Sequence, residues 1–584
     1  MSSSARGYNW LEPVLEQKEI VTYARATGLE EPVAALLLRR NVAEEDVDGF
    51  LSPTLKATLP NPSSLKDMDE ATSIIAEAIL SGRKTVVLAD YDVDGATSAA
   101  QLITYFRHFG RDLGLYVPDR LKEGYGPSPA AFEQLKSEGA ELVITVDCGA
   151  AAESALSHGA SIGLDVVVVD HHLMHGEIPK CSALVNPNRP DCTSGQGHLA
   201  AAGVVFLLLV SLNRYFRTHA ETDAKPLPDL LDWLDLCSLG TLCDMAPLQG
   251  VNRTFVIQGL KQFKSKFRPG IEALCHVSGR SQPERVTDLT FGLGPQLNAG
   301  GRIGDPWLAT KLLVSERLDQ AVPIAESLAQ LNHERKVQEQ DILSRARRDA
   351  ERQLETAPDL PILVLDQEGW HPGIIGIVAG RIKDEFHRPA LVIGWGEDFG
   401  DLAKGSARSV AGINIGDVIS KAREEGLLRA GGGHAMAGGL SVDVEKVTEL
   451  RKYLIEALKD VTTELDQARD IQIDFDILCS ALNLPFIDTL ERAGPYGAAS
   501  PKPLLRIKSA HITMRRDIGT NHVKVFLDDG SAKLDAVAWR CADSALGEIL
   551  QRNRLVDVVG YAERNTWQGR DSVQFEIIDA IARN

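Results

Sequence analysis

The 584-residue sequence predicts an α/β protein in which two α/β lobes are joined by a long helix and followed by a small β-barrel. Three observations predict this class. Apolar strand-like runs alternate with helical segments from residue 85, the stretch 316–356 is charged and almost free of helix breakers, and the C-terminal segment carries alternating strand-like runs. A chain of this length is too long for one hydrophobic core, so several domains are expected.

Residues 1–80 predict a helical lead-in, and residues 81–315 predict the first α/β domain. In the second range, "TVVLADYD", "ELVITVDCG" and "LDVVVVDHH" are apolar runs without polar alternation, and helical segments separate them. Strands of this kind are typical of a parallel sheet that is covered on both faces.

The rest of the chain divides into three further segments. Residues 316–357 predict one long connecting helix that is rich in charged helix formers. An α/β pattern restarts with "PILVLD" and "PALVIGWG", which predicts a second α/β domain over 358–465. Residues 466–584 contain five short strand-like runs and predict a nucleic-acid-binding barrel of the OB-fold type.

Composition narrows the function. The net charge of −19 disfavours a protein that binds nucleic acid through its overall charge. Residues 501–584 nevertheless carry 13 Lys and Arg against 11 Asp and Glu, so a polyanion would be bound through local basic groups and metal ions. The eight cysteines form no C-x-x-C pair, which indicates free thiols. The absence of a G-x-x-x-x-G-K-[ST] motif argues against an ATP-driven motor, and the absence of an apolar signal segment predicts a cytoplasmic protein.

Acidic and imidazole side chains follow each apolar strand of the first domain. The carboxyl ends of parallel strands line one edge of a sheet, so groups that are far apart in sequence are expected to converge there. A fourth apolar stretch, "LLDWLDLCSLGTLCDMAP", adds two more acids. The groups concerned are Asp90, Asp92 and Asp94; Asp147; Asp170, His171 and His172; and Asp235 and Asp244.

This combination predicts a metal centre. Four of these carboxylates with one imidazole (Asp92, Asp94, Asp147 and Asp244 with His171) favour Mn²⁺ or Mg²⁺ over Zn²⁺, and they carry more charge than one divalent ion neutralises. Two divalent cations are therefore expected, an arrangement suited to hydrolysis of a phosphodiester. Each Asp taken alone has a simpler interpretation as a turn former or helix cap, and the role of Asp235 stays open between a helix surface and a place beside the ligands.

The motifs "ADYDVDG", "VDCG", "VVVDHH" and "LGTLCDMAP" resemble the ordered motifs of the DHH phosphoesterase superfamily. Within it, the stretches "VPDRLKEGYGPS", "GPQLNAGGRIGD", "KGSARSV" and "GGGHAMAGGL" are similar to those of its single-strand-specific DNA exonucleases. The resemblance implies a parallel-sheet DHH domain followed by a DHH-associated domain. The sequence departs from the family pattern at Gln296, Gly300 and Ser500, which weakens any expectation of a phosphate contact at 296.

Site residues follow from the resemblance, position by position. The implied metal ligands are Asp90, Asp92, Asp94, Asp147, His171 and Asp244, with Asp147 as the bridge and Asp90 as a ligand or a supporting group. His172 is expected to face the scissile phosphate, and Asp170 is expected to orient the histidines. The implied substrate contacts are Arg120, Arg302, Ser406, Arg408 and His434 for phosphate and Tyr125 for stacking on a base.

The implied function is a metal-dependent 5′→3′ exonuclease that degrades single-stranded DNA to 5′-mononucleotides in recombination and repair. Its expected partners are a single strand with a 5′ end, single-strand-binding protein and recombination or repair helicases, and the enzyme is expected to be a monomer. Two alternatives remain. A DHH-type oligoribonuclease or cyclic-dinucleotide phosphodiesterase would use the same metals, and a non-catalytic replication scaffold of the same ancestry would be expected to have lost ligands.

Overall fold

A computed structural model describes residues 4–120, 123–174, 176–219, 226–396, 400–567 and 570–583. The chain forms two compact units. The central unit comprises Pro53–Gln340 and Pro495–Ser500, and the composite unit comprises Met1–Ser52, Asp341–Gly494 and Pro501–Asn584. None of the helices in these described ranges combines the length and the hydropathy that crossing a bilayer requires.

The first elements of the chain are short. They are β1 (Asn9–Leu11), α1 (Gln17–Thr27), α2 (Glu31–Arg39), α3 (Val47–Leu51) and α4 (Leu55–Thr58). The helix α2 coincides with the amphipathic segment "EPVAALLLRR", and it buries one face against the N-terminal core of the composite unit.

The central unit contains a five-stranded, wholly parallel sheet. Its elements are α5 (Met68–Ser81), β2 (Thr85–Ala89), α6 (Val93–His108), β3 (Leu113–Tyr116), α7 (Pro129–Ser137), β4 (Leu142–Val146), α8 (Glu153–Ser161), β5 (Asp165–Val169), β6 (Ala183–Val185), α9 (Ala201–Thr218), α10 (Leu234–Cys243), α11 (Gly250–Ser265), α12 (Pro269–Val277), a π-helical turn (Asp288–Leu293), α13 (Gly294–Leu297), α14 (Gly300–Ile303) and α15 (Leu308–Leu313). The strand order is β3-β2-β4-β5-β6.

Both faces of this sheet are buried, which explains the apolar strand sequences. Because side chains alternate along a strand, Val87 and Ile144 pack into the core formed with α5, α6 and α9. Val86 and Val143 pack into the opposite core, formed with α7 and α8. The parallel sheet therefore lies between two helical layers, as the uninterrupted apolar runs predict.

The connecting helix α16 (Leu318–Thr356) is continuous over 39 residues. It is followed by β7 (Leu363–Glu368), α17 (Pro372–Phe386), β8 (Ala390–Trp395), β9 (Leu402–Arg408), α18 (Ile415–Glu424), β10 (Ala430–His434), β11 (Ala437–Asp443), α19 (Val447–Ala457) and α20 (Thr462–Gln467). The strands form a mixed sheet in the order β10-β11-β9-β8-β7, in which only the β7–β8 pair is parallel among the described strands.

The C-terminal elements form a closed barrel in the composite unit. They are β12 (Asp470–Gln472), β13 (Phe475–Asp476), α21 (Leu484–Arg492), β14 (Leu505–Ile518), β15 (His522–Asp528), β16 (Lys533–Ala538), α22 (Ala545–Ile549), β17 (Leu555–Trp567) and β18 (Arg570–Arg583). The order β14-β15-β16-β18-β17 closes through a β14–β17 pairing, while β1 pairs in parallel with β12. The parallel-sheet domain, the long helix and the closed five-stranded barrel confirm the predicted fold class.

Candidate metal centre

The acidic residues that follow β2, β4 and β5 lie side by side at one edge of the central sheet. The backbone N–H of each donates to the last residue of the neighbouring strand: Asp90 to the Val146 carbonyl (3.2 Å), and Asp147 to the Val169 carbonyl (3.1 Å). Asp170 donates in the same way to the Val185 carbonyl (3.0 Å). The strand register thus brings three carboxylate residues together one position beyond the sheet.

Asp92 caps the helix α6 that leaves this edge. One carboxylate oxygen, Oδ1, accepts hydrogen bonds from the backbone N–H groups of Asp94 (2.8 Å) and Gly95 (3.1 Å). An aspartate at this position satisfies N–H groups that have no partner within the helix. Position 95 requires glycine, because a Cβ there would overlap the backbone carbonyl oxygen of Asp90.

Asp94 is buried at the N-terminus of a second helix, α9. Its two carboxylate oxygens accept hydrogen bonds from the backbone N–H groups of Ala201 (2.7 Å) and Ala202 (2.9 Å). Burial and the nearby charge of Asp92 nevertheless raise the pKa of Asp94 to about 7, because they outweigh the two N–H donors. The neighbouring helix α10 approaches through Gly240, where a Cβ would lie 2.6 Å from Oδ1 of Asp94.

His171 faces three carboxylates through Nε2. This atom lies 3.3 Å from Oδ1 of Asp147 and 3.9 Å from a carboxylate oxygen of both Asp94 and Asp244. Nε2 is buried without a hydrogen-bond partner, and the ring also bonds the backbone of Leu199. Burial and the charge of His172 lower the pKa of His171 to about 4, so its ring is neutral at pH 7.

The remaining carboxylates are strongly destabilised in their charged form. Burial together with the charges of neighbouring aspartates raises the pKa of Asp90 and of Asp147 well above the ordinary value, and raises that of Asp244 to about 9. Asp147 also has a positive φ of 60°, a strained conformation for a residue other than glycine. Oδ1 of Asp90 is buried without a hydrogen-bond partner.

The cluster contains three sets of residues, and within each set the ligand atoms lie within 4.8 Å of one another. They are Asp94, His171 and Asp244; Asp90, Asp92 and Asp147; and Asp147, His171 and His172. The oxygen-rich donor set, with one neutral imidazole and acids that repel one another, fits hard divalent cations such as Mn²⁺ and Mg²⁺.

His172 has a different environment from His171. Its Nδ1 donates to Oδ1 of Asp170 (2.8 Å), which also accepts from the backbone N–H of His171 (2.7 Å), while Oδ2 of Asp170 accepts from the Ala150 N–H (2.9 Å). Burial opposes the charge on both partners, but their hydrogen bond raises the pKa of His172 to about 9 and lowers that of Asp170 to about 2.

The predicted substrate residues of the central unit lie near this cluster. The hydroxyl of Tyr125 donates to the backbone carbonyl of Asp147 (3.1 Å), and its ring meets the His172 ring edge-on at 5.8 Å. The Arg120 guanidinium lies over the Tyr91 ring, 5.2 Å from its centroid. Burial and the neighbouring guanidinium groups of Arg120 and Arg335 lower the pKa of Arg302 to about 10.

The other predicted substrate residues belong to the mixed sheet of the composite unit. Nη1 of Arg408 donates to Oγ of Ser406 (3.1 Å) and to the Ala407 carbonyl (2.8 Å). Ala437 on β11 pairs with both Arg408 on β9 and His434 on β10, so these two residues lie on either side of one central strand.

The carboxylate of Asp235 is bonded to an arginine, unlike those of the acidic cluster. It is buried and accepts two hydrogen bonds from the Arg268 guanidinium, from Nε (2.8 Å) and Nη2 (3.0 Å). The helix-surface interpretation is therefore wrong, because a buried carboxylate requires a partner and Arg268 provides it.

The three residues that depart from the family pattern make contacts within the fold. The side chain of Gln296 forms hydrogen bonds with Ser278 and Gly292, and that of Ser500 forms one with Pro495. A Cβ at Gly300 would lie 2.5 Å from the Asp305 carbonyl oxygen.

Several supporting residues were not identified from sequence. Nδ2 of Asn186 donates to the His172 carbonyl (2.9 Å), and Nδ2 of Asn188 donates to the His171 carbonyl (2.6 Å). Oδ1 of Asn298 accepts from the Val93 N–H at the start of α6 (3.1 Å). These asparagines lie in the stretches "NPNRPDC" and "GPQLNAGGR", which are recognisable in the sequence. Their hydrogen-bond partners could not be predicted, because no periodic pattern assigns a partner to an asparagine.

Comparison with known proteins identifies the domains. The DHH family N-terminal domain matches residues 84–241, the DHHA1 domain matches 359–460, and the RecJ OB domain matches 473–579. A crystal structure of RecJ from Thermus thermophilus in complex with Mn²⁺ aligns with a TM-score of 0.76 at 26% identity, over 99% of this chain and 80% of that one. A crystal structure of exonuclease RecJ bound to manganese aligns with a TM-score of 0.56 at 30% identity, over 68% of this chain and 95% of that one.

The curated relatives agree with these matches. The single-stranded-DNA-specific exonuclease RecJ of Escherichia coli is 34% identical over 562 residues, which cover 93% of this chain and 95% of the relative. The Bacillus subtilis protein of the same name is 34% identical over 569 residues, which cover 97% and 70%. Because relatives that are 34% identical cover 93–97% of this chain, the chain belongs to the RecJ family of single-stranded-DNA-specific exonucleases.

Proposed function

We propose that this protein is a metal-dependent exonuclease that degrades single-stranded DNA from its 5′ end to 5′-mononucleotides, in recombination and DNA repair. The observation that carries the proposal is the convergence of five carboxylates and the unpartnered Nε2 of His171 at one sheet edge. Such a cluster destabilises the protein unless cations neutralise it, and its donor atoms match those of phosphodiester-hydrolysing two-metal sites.

The proposed ligands of two divalent cations, Mn²⁺ or Mg²⁺, are Asp90, Asp92, Asp94, Asp147, His171 and Asp244. Asp147 is the proposed bridge, because its carboxylate belongs to two of the three ligand-atom sets. When bound, the cations supply Lewis acidity and offset the charge of the phosphate. The residues that fit them share burial, raised carboxylate pKa values or a buried nitrogen without a partner.

His172 is proposed to act on the phosphate rather than on a cation. Its Nδ1 is engaged by Asp170, and the pKa of about 9 keeps the ring protonated at neutral pH. The remaining nitrogen can then donate a charged hydrogen bond to a phosphate oxygen and stabilise the charge that develops during hydrolysis. Asp170 orients and charges this histidine.

Arginines are the proposed phosphate ligands at the 5′ end. The charge of Arg120 contributes to lowering the pKa of Arg302, so the two guanidinium groups are close enough to repel each other, and an anion between them would relieve this repulsion. Tyr125 is the proposed stacking partner for a base, and Ser406, Arg408 and His434 are the proposed contacts from the mixed sheet.

The OB-type barrel is the proposed binding module for longer single strands. We also propose that the enzyme is a cytoplasmic monomer that works with single-strand-binding protein and with recombination or repair helicases. The proposed domain organisation is the five segments predicted from sequence, 1–80, 81–315, 316–357, 358–465 and 466–584.

The test is hydrolysis of single-stranded oligonucleotides labelled at either end, with Mn²⁺ or Mg²⁺. We expect early release of mononucleotides from a 5′ label and little attack on blunt duplex. Release that begins at the 3′ label, or faster hydrolysis of short oligoribonucleotides or cyclic dinucleotides, would favour a small-substrate phosphoesterase instead. Metal binding without hydrolysis of any of these substrates would indicate a scaffold.

A further inference from the structure

Tyr91 stands between two acids of the metal centre and is not itself a candidate ligand. Its ring is half-buried and packs against the core that α5, α6 and α9 form with the sheet. A tyrosine in this position is a rigid surface directly beside the carboxylates of Asp90 and Asp92.

The guanidinium of Arg120 packs over the ring of Tyr91. The guanidinium carbon lies 5.2 Å from the ring centroid, within the range of a cation–π interaction. Arg120 comes from the segment after β3, a different part of the chain from the acidic motif. The ring therefore restrains an exposed arginine side chain.

The backbone of Tyr91 supports the segment that bears Arg302. At Gly301 a Cβ would overlap the Tyr91 carbonyl oxygen and would lie 3.0 Å from the Tyr91 Cβ. The residue before Arg302 must therefore be glycine for the two backbones to approach this closely. A second tie lies close by, where Oδ1 of Asn298 accepts a hydrogen bond from the Val93 N–H (3.1 Å).

The same segment is held from its other side. A Cβ at Gly304 would lie 2.6 Å from a methyl carbon of Leu331 on α16, so the turn after Arg302 packs tightly on that helix. Tyr91 thus contacts both arginine-bearing segments, and it is joined by peptide bonds to Asp90 and Asp92. A displacement of Tyr91 would move the arginines relative to the acids.

We propose that Tyr91 is a positioning residue that sets the spacing between the Arg120–Arg302 pair and the metal ligands, and that it thereby determines selectivity for a 5′-phosphorylated end. The inference rests on the proposed exonuclease function. A terminal phosphate held by the arginines places the next phosphodiester at the acidic cluster, which accounts for release of one nucleotide at a time.

The experiment compares binding and cleavage of two single-stranded oligonucleotides that differ only in a 5′-phosphate or a 5′-hydroxyl. Equilibrium affinity is measured by fluorescence anisotropy without divalent metal, and kcat/KM is measured with Mn²⁺. We expect wild type and Tyr91→Phe to prefer the 5′-phosphate to the same extent, because phenylalanine keeps the aromatic face. Tyr91→Leu should lose about threefold to tenfold of this preference, while Mn²⁺ affinity is unchanged.

A structural defect alone would lower the affinity for both oligonucleotides equally. To guard against misfolding of Tyr91→Leu, pentafluorophenylalanine at position 91 keeps the ring shape but reverses its electrostatic face, and it should reduce the preference in the same direction. A double-mutant cycle with Arg120→Ala completes the test, since Arg120→Ala should cost less when the ring is absent.

The outcomes separate the two proposals. If wild type prefers a 5′-phosphate and both ring variants keep that preference, the positioning role of Tyr91 is wrong. If wild type shows no preference for a 5′-phosphate, the arginine pocket of the proposed function is wrong instead.

Discussion

Binding of Mn²⁺ should release protons from the acidic cluster, and the structure gives the number expected. Burial and the neighbouring carboxylates raise the pKa of Asp244 to about 9, that of Asp94 to about 7, and those of Asp90 and Asp147 well above the ordinary value, so the metal-free cluster retains protons at pH 7.5. Since cations bind the deprotonated form, saturation at this pH should release at least about one proton, which comes mainly from Asp244.

The measurement is isothermal titration calorimetry of Mn²⁺ binding in buffers of different ionisation enthalpy. The logarithm of the apparent Mn²⁺ affinity should rise with pH between pH 6 and 8, and the slope should equal the number of protons released. Asp147→Asn, which has no proton to lose at position 147, should reduce the release. Asp165→Asn, at the exposed start of β5, should leave the release unchanged. Release of less than about one half of a proton per bound cation would refute the inference that the metal-free cluster is protonated.

The same shifts predict how stability depends on pH without metal. An aspartate whose pKa is raised on folding binds its proton more tightly in the native state than in the unfolded state, so stability falls as pH rises from the unfolded value near 4 towards the native value. Each such acid lowers the free energy of unfolding by about 1.4 kcal/mol per pH unit in that window. The melting temperature in EDTA should therefore be lower at pH 8.5 than at pH 6, and saturating Mn²⁺ should remove most of this difference. Equal melting temperatures in EDTA would contradict the raised pKa values.

Three further predictions concern residues around the cluster. Asp170→Asn should lower the pKa of His172 from about 9 to its ordinary value or below, as NMR titration of the metal-free protein would show, because the carboxylate no longer stabilises the charged ring. Replacing either Asp235 or Arg268 with methionine should destabilise the protein by about 3–5 kcal/mol in urea unfolding, whereas the double replacement should cost much less, since neither charge is then left buried alone. Arg408→Ala should lower kcat/KM on 5′-phosphorylated single strands by roughly tenfold to a hundredfold; an unchanged kcat/KM would exclude it as a phosphate ligand.

The parallel sheet and its acidic edge were predictable from sequence for a clear physical reason. Strands buried on both faces must be apolar throughout, so "TVVLADYD", "ELVITVDCG" and "LDVVVVDHH" show both the strand and the point where it ends. The rule that ligands bind at the carboxyl ends of parallel strands then brings Asp90, Asp147 and Asp170 together without any knowledge of their contacts.

Contacts between distant residues were not predictable in this way. The pairing of β1 with β12 joins residues more than 450 positions apart, and no local pattern specifies such a partner. The Asp235–Arg268 ion pair and the contact of Arg120 with Tyr91 likewise depend on how helices and loops pack. The short helix α4 was not predictable as a separate element, because four residues are too few to give a periodic pattern.

The bonding of the acids themselves indicates why this edge requires cations. Asp92 and Asp94 each accept two backbone N–H groups at the start of a helix, and Asp170 accepts three backbone N–H groups in addition to the His172 ring. These hydrogen bonds offset part of the cost of charging the three carboxylates, although burial raises the pKa of Asp94 to about 7. Asp147 and Asp244 accept no backbone hydrogen bond through their side chains in the described part of the chain, and both lie within 4 Å of the uncharged Nε2 of His171. The fold therefore gives backbone donors to the acids at the helix starts and leaves Asp147 and Asp244 without them, so the stability of the charged site depends on the cations that the proposed reaction requires.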